Sequence, residues 1–119
     1  MSSPRIVAIS RRFEFDAAHV LPWHPGKCSR LHGHTYRLEV TIEGPLDENG
    51  VVLDFSDLDR AVRELVLERL DHVLLNDIVE NPTSERIVIY ILELLEPFNQ
   101  KINSIRLWEG VDSYVEVRP

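Results

Sequence analysis

The chain has 119 residues, a net charge of −7 at neutral pH and an apolar share of 44%, enough for one domain (residues 1–119) that buries a core without disulfide staples. The acidic balance argues against a nucleic-acid or anionic-membrane surface, since both need a basic face, and no apolar run approaches a membrane span. The one cysteine, Cys28, cannot form an internal disulfide, and Ile6 to Ile9 is too short for the core of a signal peptide, so a cytoplasmic protein with a free thiol is expected.

From Ile6 to Ala17, Phe13, Phe15 and Ala17 alternate with Glu14 and Asp16, which reads as a strand. "LPWHPGK" then breaks the chain with two prolines and a glycine. From His34 the even positions run Tyr36, Leu38, Val40, Ile42, and the odd ones Thr35, Arg37, Glu39, Thr41, Glu43. A period of two puts each set on its own face of a sheet. "GPLDENG" is a turn, and Val51 to Phe55 reads as a short strand.

Ser56 has the chemistry of a helix N-cap, with Asp59 in the first turn and Leu58, Val62, Leu65, Val66 and Leu70 following at helical spacing. Pro82 and Thr83 announce a second helix to about Phe98, with Glu85 near its positive end. That helix is apolar nearly all round and needs cover on more than one side, from the sheet and first helix or from another subunit. Strands near Ser104 to Glu109 and Ser113 to Val117 close the chain. Strands at both ends of a helical pair suggest an α+β domain, mostly antiparallel, with helices on one face.

His32 and His34 share parity with the inward row that begins at Tyr36, and His19 continues the inward row of Phe13, Phe15 and Ala17. Two adjacent rows could gather three imidazoles at one end of the sheet. Burying them unpaired would cost on the order of 1–3 kcal/mol each. A divalent metal meets that need, and three histidines with no fourth protein ligand describe a zinc site with an open position. The competing reading is a pair of histidines hydrogen-bonded at a strand entrance. A cupin is a decoy for "HGHTYRLE", but Glu39 has the wrong parity to share a site with His34, and His72 closes a helix.

Cys28 lies just upstream of the ligand pair. Near a dication it could serve as base or nucleophile; alone, it is an ordinary free thiol. Lys27 and Arg30 flank it, either as solvated loop charges or as a grip for a small anion. Asp71 and His72 stand where the first helix runs out, as a proton-handling pair or as helix-end chemistry. Glu109 shares parity with Ile105 and Leu107, which turns a carboxylate inward at a strand end. It could receive the paired N–H donors of a flat heterocycle. His24 reads as a loop histidine.

"FEFDAAHVL", "CSRLHGH", "LDHVLLND", "NPTSE" and "WEG" resemble, in order and spacing, the 6-pyruvoyltetrahydropterin synthase superfamily. The short spacer between Cys28 and His32 is similar to its 6-carboxytetrahydropterin branch. The resemblance implies the tunnelling fold, a four-stranded antiparallel sheet with two helices on one face, joined into trimeric barrels that stack as hexamers with active sites between subunits. It implies zinc on His19, His32 and His34, Cys28 as general base, Asp71 and His72 as its relay, and Glu109 as anchor for the pterin amine and ring N–H. Thr83 and Ser84 match the segment that lines the pterin pocket. The implied reaction converts 7,8-dihydroneopterin triphosphate to 6-carboxy-5,6,7,8-tetrahydropterin, acetaldehyde and triphosphate, a step toward queuosine. The alternatives are the pyruvoyl sibling, which stops after triphosphate elimination, and a non-catalytic pterin- or metal-binding relative.

Overall fold

The computed structural model describes residues 5–119. Strands β1 (Val7–His19) and β2 (His32–Gly44) form a long antiparallel ribbon. Helix α1 (Phe55–Val62) follows and runs on through a π-helical turn, Arg63–Leu67, and one more α-turn, Glu68–Leu70. Then come β3 (Val73–Leu74), α2 (Ser84–Leu94), β4 (Ile102–Glu109) and β5 (Ser113–Val117). The sheet order is β3-β1-β2-β4-β5.

Register follows the alternation read from the sequence. Phe13 pairs with Leu38, Phe15 with Tyr36, Ala17 with His34 and His19 with His32, so the inward rows of the two strands coincide. Leu107 and Ile105 continue them on β4, opposite Leu38 and Val40. These side chains are buried against Leu58, Val62, Val66 and Leu70 of the first helical run and Ile87, Val88 and Ile91 of α2. Burial of this kind, worth roughly 1.5–3 kcal/mol per large apolar side chain, holds the helices to one face.

Three local expectations are corrected. Val51 to Phe55 forms no strand: the Asp54 carboxylate accepts from the Ser56 backbone N–H at 2.9 Å and its hydroxyl at 2.8 Å, so Asp54, rather than Ser56, caps α1. The extended backbone there is the conformation an N-cap requires. Helix α2 stops at Leu94, short of Phe98, because Pro97 disfavours helical backbone in the residue before it. The sheet has five strands rather than four, since β3 pairs parallel with β1 at Ala17 and Ala18, leaving β1, β2, β4 and β5 as the antiparallel body.

The molecule measures 60 × 23 × 21 Å with a radius of gyration of 16.1 Å, against about 13.5 Å for a compact chain of this length. The long ribbon contributes to the excess: β1 is mostly exposed at its Val7 end and becomes buried toward His19.

Candidate functional site

The geometry at the end of β1 and β2 follows from their register. His19 and His32 are directly opposed, and His34 is two residues further along the same inward face. Tyr36 pairs with Glu109 across β2 and β4, which brings that carboxylate into the same corner. One donor atom from each of His19, His32, His34 and Glu109 lies within 4.8 Å of the others.

Hydrogen bonding fixes what two of the rings offer. His19 donates from Nδ1 to the Pro82 carbonyl at 2.8 Å, and His32 from Nδ1 to the Arg30 carbonyl at 2.6 Å. A carbonyl oxygen can only accept, so each Nδ1 carries the proton and each neutral ring presents an Nε2 lone pair. Those two Nε2 atoms face one another at 2.9 Å. Two lone pairs at that distance repel unless a cation stands with them. The third ring adds to the case: His34 Nε2 is buried without a hydrogen-bond partner, because Glu109 Oε1, 3.0 Å away, lies off the donor direction. Burial pushes the His34 imidazole below its ordinary pKa; the Glu109 charge opposes this, and His19 and His32 reinforce it. Burial thus favours the neutral ring, and its Nε2 is left without a hydrogen-bond partner. Second-contact groups that orient ligating histidines through their other nitrogen are what a metal site needs, and the donor set fits a divalent metal.

The surroundings are ordered. Glu109 Oε2 accepts from the Ser84 hydroxyl at 2.5 Å. Thr83 is spent on the helix, its hydroxyl accepting from the Arg86 N–H at 3.2 Å. Tyr36 is fully buried, and its phenol is pushed up, first by burial and then by Glu109, so it stays neutral. A cavity of about 320 Å³ borders Ser84, Glu109, Ser113 and Tyr114.

A second cluster forms on the opposite parity of β1. Asp71 Oδ1 lies 3.0 Å from His72 Nδ1 and accepts from the Asp16 backbone N–H at 2.9 Å. That N–H is the main reason the Asp71 carboxyl sits below its usual pKa; slight burial opposes it and His72 assists. The His72 N–H donates in turn to the Asp16 carbonyl at 2.6 Å, and Thr35 Oγ1 to Asp16 Oδ1 at 2.6 Å. His72 has φ of +60°, left-handed backbone that a non-glycine residue adopts only when its surroundings insist. An open cleft of about 610 Å³ is lined by both His34 and His72, along with Asp16, Thr35 and Leu31. Cys28 is not among its lining residues. The thiol sits half-buried in a single 3-10 turn, Lys27–Ser29, whose carbonyl at Cys28 accepts from the Leu21 N–H at 2.9 Å.

Sequence reasoning gave no role to Asp16 and Thr35, which face away from the core. It also assigned no part to Asn76. Its amide makes both bonds of a strand neighbour to Val20, at 2.9 and 2.8 Å, and so fixes the end of β1 beside His19.

A family model described as 6-pyruvoyl tetrahydropterin synthase matches residues 8–119. An Archaeoglobus fulgidus protein named putative 6-carboxy-5,6,7,8-tetrahydropterin synthase is 42% identical, covering 99% of each chain. A Haemophilus influenzae 6-carboxy-5,6,7,8-tetrahydropterin synthase is 37% identical over 91% of this chain and 96% of its own. A Pyrococcus furiosus dihydroneopterin monophosphate aldolase is 41% identical over 89% and 92%. The solved Caenorhabditis elegans 6-pyruvoyl tetrahydropterin synthase superposes with a TM-score of 0.84 at 28% identity, covering 100% of this chain and 99% of the other.

Proposed function

The chain belongs to the 6-pyruvoyl tetrahydropterin synthase family, and from that premise we propose that it is a zinc-dependent 6-carboxy-5,6,7,8-tetrahydropterin synthase. Its substrate is 7,8-dihydroneopterin triphosphate, which with water yields 6-carboxytetrahydropterin, acetaldehyde and triphosphate. The relatives from Archaeoglobus and Haemophilus carry the name of this activity. The observation that carries the reading is the trio of imidazole nitrogens at the strand ends, two facing each other and one buried without a partner.

His19, His32 and His34 would hold the metal, and zinc bound there supplies Lewis acidity toward the hydroxyls of the substrate's side chain. Cys28, as thiolate, removes a proton from the side chain. His72 returns protons from the other side, its Nδ1 held by Asp71 so that Nε2 is the working nitrogen. Glu109 receives the pterin amine and ring N–H in a charge-assisted pair, with Ser84 steadying its second oxygen. Thr83 sets the helix that presents Ser84.

The cleft shared by His34 and His72 lacks the thiol, and the elongated chain leaves its sheet edges and several large apolar side chains (Leu31, Val111, Trp23) exposed. Both features support a homo-oligomer, trimer or hexamer, in which Cys28 of one copy meets His72 of another. No helix among the described residues is long and apolar enough to cross a membrane, and a cytoplasmic enzyme with a free thiol is part of the same proposal.

The test is incubation with dihydroneopterin triphosphate and mass analysis. Acetaldehyde with the carboxypterin supports the reading. Triphosphate release with a pyruvoyl product assigns the sibling activity, and no consumption assigns a non-catalytic relative. The Pyrococcus relative favours a second reading, cleavage of the monophosphate, which parallel incubation with dihydroneopterin monophosphate decides.

A further inference from the structure

We propose that Lys27 and Arg30 form the anion subsite of the active centre, a two-pronged grip for a polyphosphate chain. The identity of that chain as the substrate's triphosphate rests on the function proposed above; the grip itself rests on charge and geometry.

The chain carries 20 acidic residues among 119. Residues 17–38, a run of 22, contain none, where that average would place about four. This stretch holds His19, His32, His34 and Cys28, so the surroundings of the metal cluster are cleared of carboxylates contributed by their own segment. Carboxylates reach the site only from outside this run, Glu109 from β4 into the histidine cluster and Asp16 into the cleft that His34 lines. Most of the cations are neutralised: eight of the thirteen Lys and Arg side chains take part in ion pairs among the described residues. Lys27 and Arg30 do not, and both are exposed.

They are also held as a pair. The Arg30 N–H donates to the Lys27 carbonyl at 3.1 Å, closing the 3-10 turn. The turn therefore sets both cations on one short segment, one residue before and two residues after Cys28. The Arg30 carbonyl then anchors His32 Nδ1 at 2.6 Å. The backbone that carries the grip is therefore the backbone that orients a metal ligand.

The energetic need is plain. A polyanionic ligand approaching a chain of charge −7 meets repulsion at long range, and a local positive focus is what reverses it. Lysine supplies a point charge for phosphate and arginine a planar fork for two of its oxygens. Two cations suit a chain of several phosphates better than a single one.

Calorimetry with inorganic triphosphate on the zinc-loaded protein tests this without turnover. Lys27→Gln/Arg30→Gln should weaken triphosphate binding by at least about tenfold, since two charge-assisted contacts are removed. Arg5→Gln/Arg69→Gln, which removes two other exposed charges, should leave it within about twofold. Lys27→Arg/Arg30→Lys should keep most of the affinity, which separates charge from folding. Affinity should rise from phosphate through diphosphate to triphosphate. The proposal is overturned if the Gln pair binds triphosphate as the wild type does, if the control pair loses as much, or if affinity is flat with chain length. A wild type that ignores dihydroneopterin triphosphate in turnover sinks the proposed function, while these binding results still decide the subsite.

Discussion

The two clusters at the working end of the sheet are built by opposite means. The histidine cluster stands on two thirteen-residue strands in unbroken register, and the rings of His19 and His32 are locked by main-chain carbonyls. The Asp71–His72 pair stands on a left-handed residue beside a two-residue strand, exposed, and tied down by the Asp16 peptide and its Thr35 tether. Regular backbone positions groups that must converge on a point from several directions. Irregular backbone aims one side chain into a cleft, at a cost of roughly 1–3 kcal/mol that the surrounding ladder absorbs. The first arrangement suits a ligand cage and the second a proton carrier.

The sharpest way to break this contrast is to empty the cage. His32→Ala/His34→Ala removes two of three imidazoles from one face of β2, and zinc content by elemental analysis should fall from about one per chain to near zero. Turnover should vanish with it. The relay should be untouched, because the Asp16–Asp71–His72 bonds lie on the other face of β1. Full zinc retention in this variant would move the metal elsewhere and dissolve the comparison.

Next in size come the proton carriers. Cys28→Ala and His72→Ala should each keep zinc and fold while losing about 10²–10⁴-fold in turnover, the range for a positioned acid–base group. The double variant should be little worse than either, since members of one relay act as a unit. Normal turnover by Cys28→Ala would remove the thiol from the mechanism even with zinc and fold intact. Mixing the two single variants tests the proposed shared site: if Cys28 of one copy meets His72 of another, mixed assemblies that pair an intact Cys28 with an intact His72 should regain part of the activity.

Glu109 belongs to the histidine cluster, 3.0 Å from His34, yet it is bonded to Ser84 of α2. As pterin anchor, Glu109→Gln should keep its zinc and raise KM by about tenfold or more, because a charge-assisted acceptor becomes a neutral group that presents a donor. As a fourth ligand, it should shed zinc instead. Elemental analysis beside kinetics separates the two roles.

The same contrast decides what could be read from the sequence. The alternation of Tyr36, Leu38, Val40 and Ile42 sets a parity that carries back to His34 and His32, and Phe13, Phe15 and Ala17 carry forward to His19. A period of two is a long-range signal, so the cage was legible down to its residues. Glu109 followed from the same rule on β4. The facing Nε2 lone pairs were not legible, because they depend on the Pro82 and Arg30 carbonyls, which no side-chain pattern reports. The resemblance supplied roles for Asp71 and His72, but not the support that Asp16 gives them: two-residue pairing and a left-handed backbone carry no periodicity. Val51 to Phe55 failed for a related reason. Asp54 offered its carboxylate to the helix, and one local side-chain bond outweighed a weak strand pattern.

The smallest effect tests the relay's foundation. Asp71 accepts the Asp16 N–H in the folded chain, which lowers its pKa, whereas the unfolded carboxyl keeps its ordinary value. Between those two values the unfolded chain binds more protons, so stability must rise with pH there. The contribution is present above the unfolded pKa and is lost as pH falls through the folded one. Because the side chain is 42% exposed, solvent screening keeps its size below about 1 kcal/mol. Asp71→Asn still accepts the N–H but has no charge to lose. Chemical denaturation should therefore show the wild type slightly more stable than the variant near neutrality, with the gap closing as pH drops below the carboxylate range. A gap that stayed constant down to strong acid would mean the Asp16 peptide holds Asp71 by shape alone, and that the charge at the base of the relay serves only His72.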